Sequence, residues 1–246
     1  MGPLLFLAFI NDLPDSVSNS TTRLFADDCV LYRRISSASD AAKLQEDLDS
    51  LQAWERTWKM QFHPSKCQVI RVTHKRCPVA TSYNIHGQTL DEVSSAKYLG
   101  LNIDNQLNFN THVDAVAKKA NSIRAFLGRN LSQCSRSIKE GMYKTYVRPI
   151  VEYAAAAWDP HTQQNIKKIE QVQRSCARFV TGTYNRRSSV TALLGSLQWP
   201  SLESRRKEIR LAMLYRIRNG LVEVDSGQYL TKSESTTRGH TSRFLS

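Results

Sequence analysis

The stretch Arg23-Leu24-Phe25-Ala26-Asp27-Asp28-Cys29-Val30-Leu31-Tyr32 constrains this chain more than any other. Apolar arms flank two adjacent acids, which reads as two short strands meeting at a tight turn. Side by side, two carboxylates repel by about 4 kcal/mol at about 4 Å in an effective dielectric of 20. Water screens such a pair on an ordinary exposed acidic turn. Here the apolar arms are expected to be buried, to hold the turn rigidly and to limit solvent. That setting suits a hard divalent cation such as Mg²⁺, which takes carboxylate oxygens together with substrate phosphates. Asp27 and Asp28 are therefore the candidate metal ligands, and phosphoryl transfer is the chemistry they suit.

Charge points to a polyanion. The 246 residues hold 34 Lys and Arg against 22 Asp and Glu, a formal charge of +12. Residues 1–60 carry a net −3, whereas 61–246 carry +15. An acidic end before a basic body suggests two jobs, with nucleic acid or an acidic membrane face as default partner. An apolar content of 41% excludes wholesale disorder. The five scattered cysteines form no C-x-x-C pair, which predicts reduced thiols in the cytoplasm or nucleus, not a secreted scaffold. His63, Cys67, His74 and Cys77 have a zinc-like spacing, but the strand-like run 68–72 separates the two halves, so they read as core and loop residues. The apolar run from Leu4 to Ile10 is too short to span a bilayer, lacks a signal peptide's flanks, and reads as a buried helix. A domain rarely opens on its core, so the chain looks cut at its front.

Periodicity then divides the chain. Leu44, Leu48, Leu51, Trp54 and Trp58 fall on one face of a helix over 40–58, with Asp40 as its N-cap. Strands are expected at 67–73, from 83, and at 97–103 with a bend at Gly100. Everything after 104 is helical in pattern. Apolar stripes run through Val113–Leu127, Ile138–Tyr146 with a bend at Pro149, Ile166–Phe179 and Ile209–Ile217. The predicted class is α+β: 1–104 mixed, 105–222 all-helical, and 223–246 a disordered tail.

The order of blocks carries a resemblance. Gly2-Pro3-Leu4-Leu5-Phe6, then Ile10-Asn11-Asp12-Leu13-Pro14, then Phe25-Ala26-Asp27-Asp28 closely resembles the palm of reverse transcriptases from non-LTR, jockey-like retrotransposons. Leu48-Asp49, Trp54, Trp58 and Lys66-Cys67 look like the helix and lysine segment that follow in that family. Tyr98-Leu99-Gly100-Leu101 looks like its primer-grip hairpin. His112, Tyr153 and Trp158 lie in what resembles its thumb and the helices beyond.

The resemblance implies RNA-templated attack of a primer 3′-hydroxyl on a dNTP, with Mg²⁺ as cofactor. Asp27 would be the direct metal ligand and Asp28 a supporting one. Lys66 would sit near the triphosphate, where a cation can protonate the leaving pyrophosphate; a solvated loop lysine is the alternative. Tyr98 to Leu101 would hold the primer end, or form a plain core hairpin. The family places another catalytic aspartate and the fingers upstream of these blocks, so this stretch alone is expected to be inactive.

The basic helices add a second candidate surface. Lys167, Lys168, Arg174 and Arg178, with Arg186 and Arg187 beyond, and then Arg205, Arg206, Lys207 and Arg210, alternate with apolar positions. They are expected to contact phosphates of an RNA template and DNA primer or duplex, insensitively to sequence; a solvated basic face is the bland alternative. Tyr143, Tyr146, Tyr184 and Tyr215 could stack on bases, although helical spacing predicts core packing for most. A non-catalytic nucleic-acid-binding remnant is the competing functional reading.

Overall fold

The structure, a computed structural model, describes residues 1–185, 187–232 and 244–245. Arg186 and half of the 223–246 tail, residues 233–243 and 246, lie outside the described residues. Within that tail, a short helix spans Ser226–Tyr229, and Thr231–Lys232 pairs with Phe244–Leu245. The chain forms two compact units, 1–108 and 109–246.

In the first unit, helix α1 (Gly2–Ile10) leads through a short turn to strands β1 (Thr21–Phe25) and β2 (Asp28–Tyr32). The expected burial of α1 is corrected: Ile10 is buried and Phe6 and Phe9 are packed, but Leu4 is 74% exposed and Leu5 and Leu7 also face solvent. The helix is apolar all round, yet only one side meets the core.

Helix α2 (Ala38–Trp58) organises this unit. Its N-cap is Ser37, not Asp40. Asp40 is the third helical residue and returns a hydrogen bond to the cap, completing a capping box. Leu48, Leu51 and Trp54 bury the stripe seen in the sequence against Ile10, Leu13, Tyr83 and Ile85. Trp54, Trp58 and Phe9 form an aromatic cluster, with Phe9 edge-on to Trp58 at 4.9 Å.

The remaining strands are short. The expected strand 67–73 shrinks to β3 (Gln68–Val69), which pairs in parallel with β6 (Asp91–Glu92). Between them, β4 (Asn84–Ile85) and β5 (Gln88–Thr89) form a tight hairpin, with positive φ at His86 and Gly87. The run 97–103 is not one bent strand. It is a hairpin of β7 (Ser95–Tyr98) and β8 (Leu101–Asp104), turning at Leu99 (φ 45°) and Gly100 (φ 83°). Positive φ at both central residues matches the twist of a two-residue hairpin, which glycine adopts at little cost.

The second unit is helical through α3 (Asn110–Asn130), α4 (Arg136–Met142), α5 (Arg148–Glu152), α6 (Ala155–Trp158), α7 (Gln163–Thr181), α8 (Val190–Ser196) and α9 (Leu202–Arg218). Ile166, Ile169, Val172, Cys176 and Phe179 of α7 are buried with Val113, Val116 and Ala120 of α3. Between α4 and α5, residues Tyr143–Val147 form a π-turn. Pro149 lacks an N–H and crowds the preceding turn, so the helix widens there. The Ile209–Ile217 stripe is corrected: in α9 only Leu202 and Arg206 are buried, and Leu211, Met213, Leu214 and Tyr215 are exposed.

Candidate active site and basic surface

β1 and β2 pair antiparallel from Thr21↔Tyr32 to Phe25↔Asp28, leaving Ala26 and Asp27 as the two-residue loop. Strand alternation sets the faces. Thr22 and Leu24, with Cys29 and Leu31 opposite, turn toward the core. Phe25, Asp28 and Tyr32 turn away. Phe25 is 63% exposed, and Asp27 and Asp28 are open to solvent. The expectation of a turn enclosed by buried flanks is therefore corrected: one face of the hairpin is buried and its tip is not. Ala26 adopts φ 53°, where a Cβ is disfavoured.

The primer-grip-like hairpin lies within electrostatic reach of this tip. Burial pushes the Tyr98 phenol up, and the charges of Asp28 and Cys29 push it further. Cys29 is pushed up to about 11, by burial first and then by Cys67; Cys67 rises through burial and the Glu55 carboxylate. Lys66 is exposed at the end of a 3₁₀ turn, Pro64–Lys66. Among the described residues, no three His, Cys, Asp or Glu side chains gather as a metal site, neither around Asp27 and Asp28 nor at His63, Cys67, His74 and Cys77.

Side chains that the sequence did not single out hold the hairpin. Asp47 on α2 is 1% exposed and accepts the backbone N–H groups of Ser18 and Asn19 at 3.1–3.2 Å. Burial pushes its carboxyl up, but the nearby Ser20 hydroxyl and the N–H groups of Asn19 and Ser18 outweigh this and hold it below its ordinary value. Arg33, just past β2, pairs with Asp40 at 3.0 Å and donates to the Asn19 carbonyl. Glu55 is also buried, accepting from the Phe62 N–H and pairing with His86 at 2.9 Å. A signal existed for both acids: Asp47 and Glu55 fall on the helix face of Leu44, Leu48 and Leu51, where a carboxylate must find donors.

The basic residues separate into two groups. Arg206 is fully buried and paired with Asp159, so it is removed from the phosphate-contacting set. Arg205 forks onto Glu152, Arg210 pairs with Asp159, and Lys168 pairs with Asp114 at 2.6 Å. Arg178 donates to the carbonyls of Thr183 and Asn185 beyond α7. Arg174 is half-buried. Lys167 and Lys207 are exposed and form no salt bridge among the described residues. The tyrosines reverse the expectation: Tyr143 is buried and stacked on Trp199 at 4.1 Å, but Tyr146, Tyr184 and Tyr215 are exposed. His112 and Trp158 are buried edge-to-face at 5.0 Å, and the Trp158 indole donates to the Tyr153 carbonyl at 2.7 Å.

The hairpin presents two adjacent aspartates at its exposed tip. Residues 1–103 match the family described as reverse transcriptase (RNA-dependent DNA polymerase) and belong to it. Within that family the chain is related to the polymerases of non-LTR retrotransposons. It is 29% identical over 197 residues to the probable RNA-directed DNA polymerase from transposon BS of Drosophila melanogaster. It is 30% identical over 190 residues to that from the X-element of the same fly, and 29% over 203 residues to the RNA-directed DNA polymerase of mobile element jockey from Drosophila funebris. Each comparison covers 74% of this chain and 21% of the relative, so the chain spans about a fifth of their length. No solved structure matches. Among the described residues, no helix is long and apolar enough to cross a membrane.

Proposed function

We propose that this chain is the C-terminal part of a retrotransposon RNA-directed DNA polymerase core, with 1–104 contributing to the palm and 105–222 to the thumb and the helices beyond. The observation that carries the reading is the pair Asp27 and Asp28 at the tip of a rigidly based hairpin, inside the segment that matches the reverse transcriptase family. Their hard carboxylate oxygens fit a divalent cation, Mg²⁺ by family, and that cation supplies charge neutralisation for the transferring phosphoryl group. Asp27 is the direct ligand and Asp28 its supporting neighbour. Tyr98 to Leu101 steady the primer end beside them, and exposed Lys66 faces the triphosphate.

The second unit serves as the duplex-holding surface through its exposed cations, led by Lys167 and Lys207. RNA template, DNA primer and dNTP are the partners of the whole polymerase in this reading, which works inside the cell.

The test is Mg²⁺-dependent primer extension on an RNA template by the polymerase that contains this segment. Asp27→Ala is expected to lower the rate by at least about 10²-fold, since residues of a catalytic unit act together. Extension unchanged by Asp27→Ala would overturn the catalytic reading. Salt-dependent RNA binding with no extension by the wild type would favour a binding remnant.

A further inference from the structure

We propose that Asp47 is a positioning residue that, together with the Arg33–Asp40 pair, aims the tip of the β1–β2 hairpin. The proposal rests on the reading of Asp27 and Asp28 as the reactive pair.

Two carboxylates of α2 hold the base of the hairpin. Asp47 Oδ1 accepts from the N–H of Ser18 at 3.2 Å, of Asn19 at 3.1 Å, and from Asn19 Nδ2 at 3.3 Å; Oδ2 accepts from the Asn19 N–H at 3.1 Å. That fixes the entry to β1. At the exit from β2, Arg33 Nη2 reaches Asp40 Oδ1 at 3.0 Å, while its Nη1 donates to the Asn19 carbonyl. Asp40 is anchored in turn by the N–H groups of Ser36 and Ser37. Asp40 and Asp47 stand seven residues apart, two turns along one helix face. The circuit Asp47–Asn19–Arg33–Asp40 therefore closes on a single rigid element.

Leverage makes this matter. Five-residue strands at about 3.3 Å per residue put the tip roughly 17 Å from the base. A 5° tilt at the base then moves the tip by about 1.5 Å, while a misplacement of about 1 Å can lower a rate about 10²-fold. Among the described residues, no further strand pairs with this two-stranded sheet to stop that tilt. The chemistry selects a carboxylate, because the groups that bond Asp47 are all N–H donors and an ionised acid is acceptor-only. An amide there would turn one acceptor into a donor facing N–H groups.

The test uses the whole chain with two substitutions, Asp47→Asn and Arg33→Gln, read by amide hydrogen exchange and by Mn²⁺ binding in electron paramagnetic resonance. Amides of 21–32 are expected to exchange about ten-fold faster or more, while those of Leu48 and Leu51 keep wild-type rates, the pattern of local rather than global opening. Mn²⁺ affinity should fall with them. Arg33→Gln carries the test if Asp47→Asn does not fold. Hairpin exchange at wild-type rates in the folded variants overturns the proposal. Asp27→Asn separates the two readings: if it leaves Mn²⁺ binding unchanged, the metal reading fails, and hairpin exchange alone decides the role of Asp47.

Discussion

Arg206 and Lys207 are neighbours in sequence and carry the same charge, yet the structure assigns them opposite consequences. The Arg206 side chain is 0% exposed; its Nε donates to Asp159 Oδ1 at 2.7 Å, and neither Nη1 nor Nη2 has a hydrogen-bond partner among the described residues. Removing one member of a buried ion pair costs about 3–5 kcal/mol. Arg210 still holds Asp159 Oδ2 at 2.9 Å, so the remaining carboxylate is not orphaned. Arg206→Ala therefore belongs near the low end, about 3 kcal/mol, or roughly 6–12 °C in Tm for a chain of this size. Arg206→Met keeps the stem's packing and removes two unpaired buried donors, each carrying roughly 1–3 kcal/mol of desolvation, so it should recover most of the loss. Lys207→Ala should leave the melt unchanged and lower the slope of log K against log salt by about 0.7–0.9, one phosphate's worth. Urea and thermal melts by circular dichroism, beside RNA binding between 50 and 200 mM salt, read both effects. Arg206→Ala with wild-type melting and a binding loss equal to that of Lys207→Ala would refute the reasoning.

Three further outcomes follow from the same structure. Asp40 is held down to about 2, from an ordinary 3.8, by Arg33, the Ser36 N–H and the Ser37 hydroxyl, and Asp47 is also lowered. A depressed folded pKa gives stability that is present above the unfolded value and lost as pH falls through the folded one. Stability should therefore drop between about pH 4 and pH 2, and Asp40→Asn should flatten that drop in a urea-melt series. Ala26→Gly relieves a left-handed backbone at φ 53° and should stabilise the hairpin by about 1 kcal/mol, seen as a higher urea midpoint. Iodoacetamide should label exposed Cys77 first and leave Cys29 and Cys176, pushed up to about 11 and about 12 by burial, until last, as peptide mapping would show.

What was legible in the sequence was what repeats or sits adjacent. The Asp27-Asp28 turn, the α2 stripe and the α7 stripe are local patterns, and each formed where it was read. The cations were not separable, because a basic residue between apolar positions reads the same whether its partner is water or Asp159, 47 residues away. Burial of α1 was over-read for a related reason. Composition gives the apolarity of Leu4, Leu5 and Leu7, whereas burial depends on what packs against them. The capping box explains the shifted helix start: Asp40 suits an N-cap, but Ser37 followed by an acid three residues on is the stronger signal.

The order of the first unit rests on α2 more than on its sheets. Three of its strand pairings are hairpins, and the fourth joins two-residue strands. Ladders that short supply few hydrogen bonds, and an isolated hairpin is marginal in water. α2 supplies what the ladders lack. Beyond its apolar stripe, Gln45 exchanges two hydrogen bonds with the backbone of Asn84, and Gln52 accepts from the His86 N–H at 2.8 Å. Trp54 donates to Asp12 at 3.0 Å, and Glu55 gathers Phe62 and His86. With Asp40 and Asp47, the helix thus grips the turn after α1, both ends of the β1–β2 hairpin, the segment after its own C-terminus and the β4–β5 hairpin. Two aspartates on an exposed tip repel each other and add nothing to folding, so their placement has to be imposed from elsewhere. The polar flanks of α2 hold the base of that hairpin, and there the buried carboxylate of Asp47 finds its N–H donors.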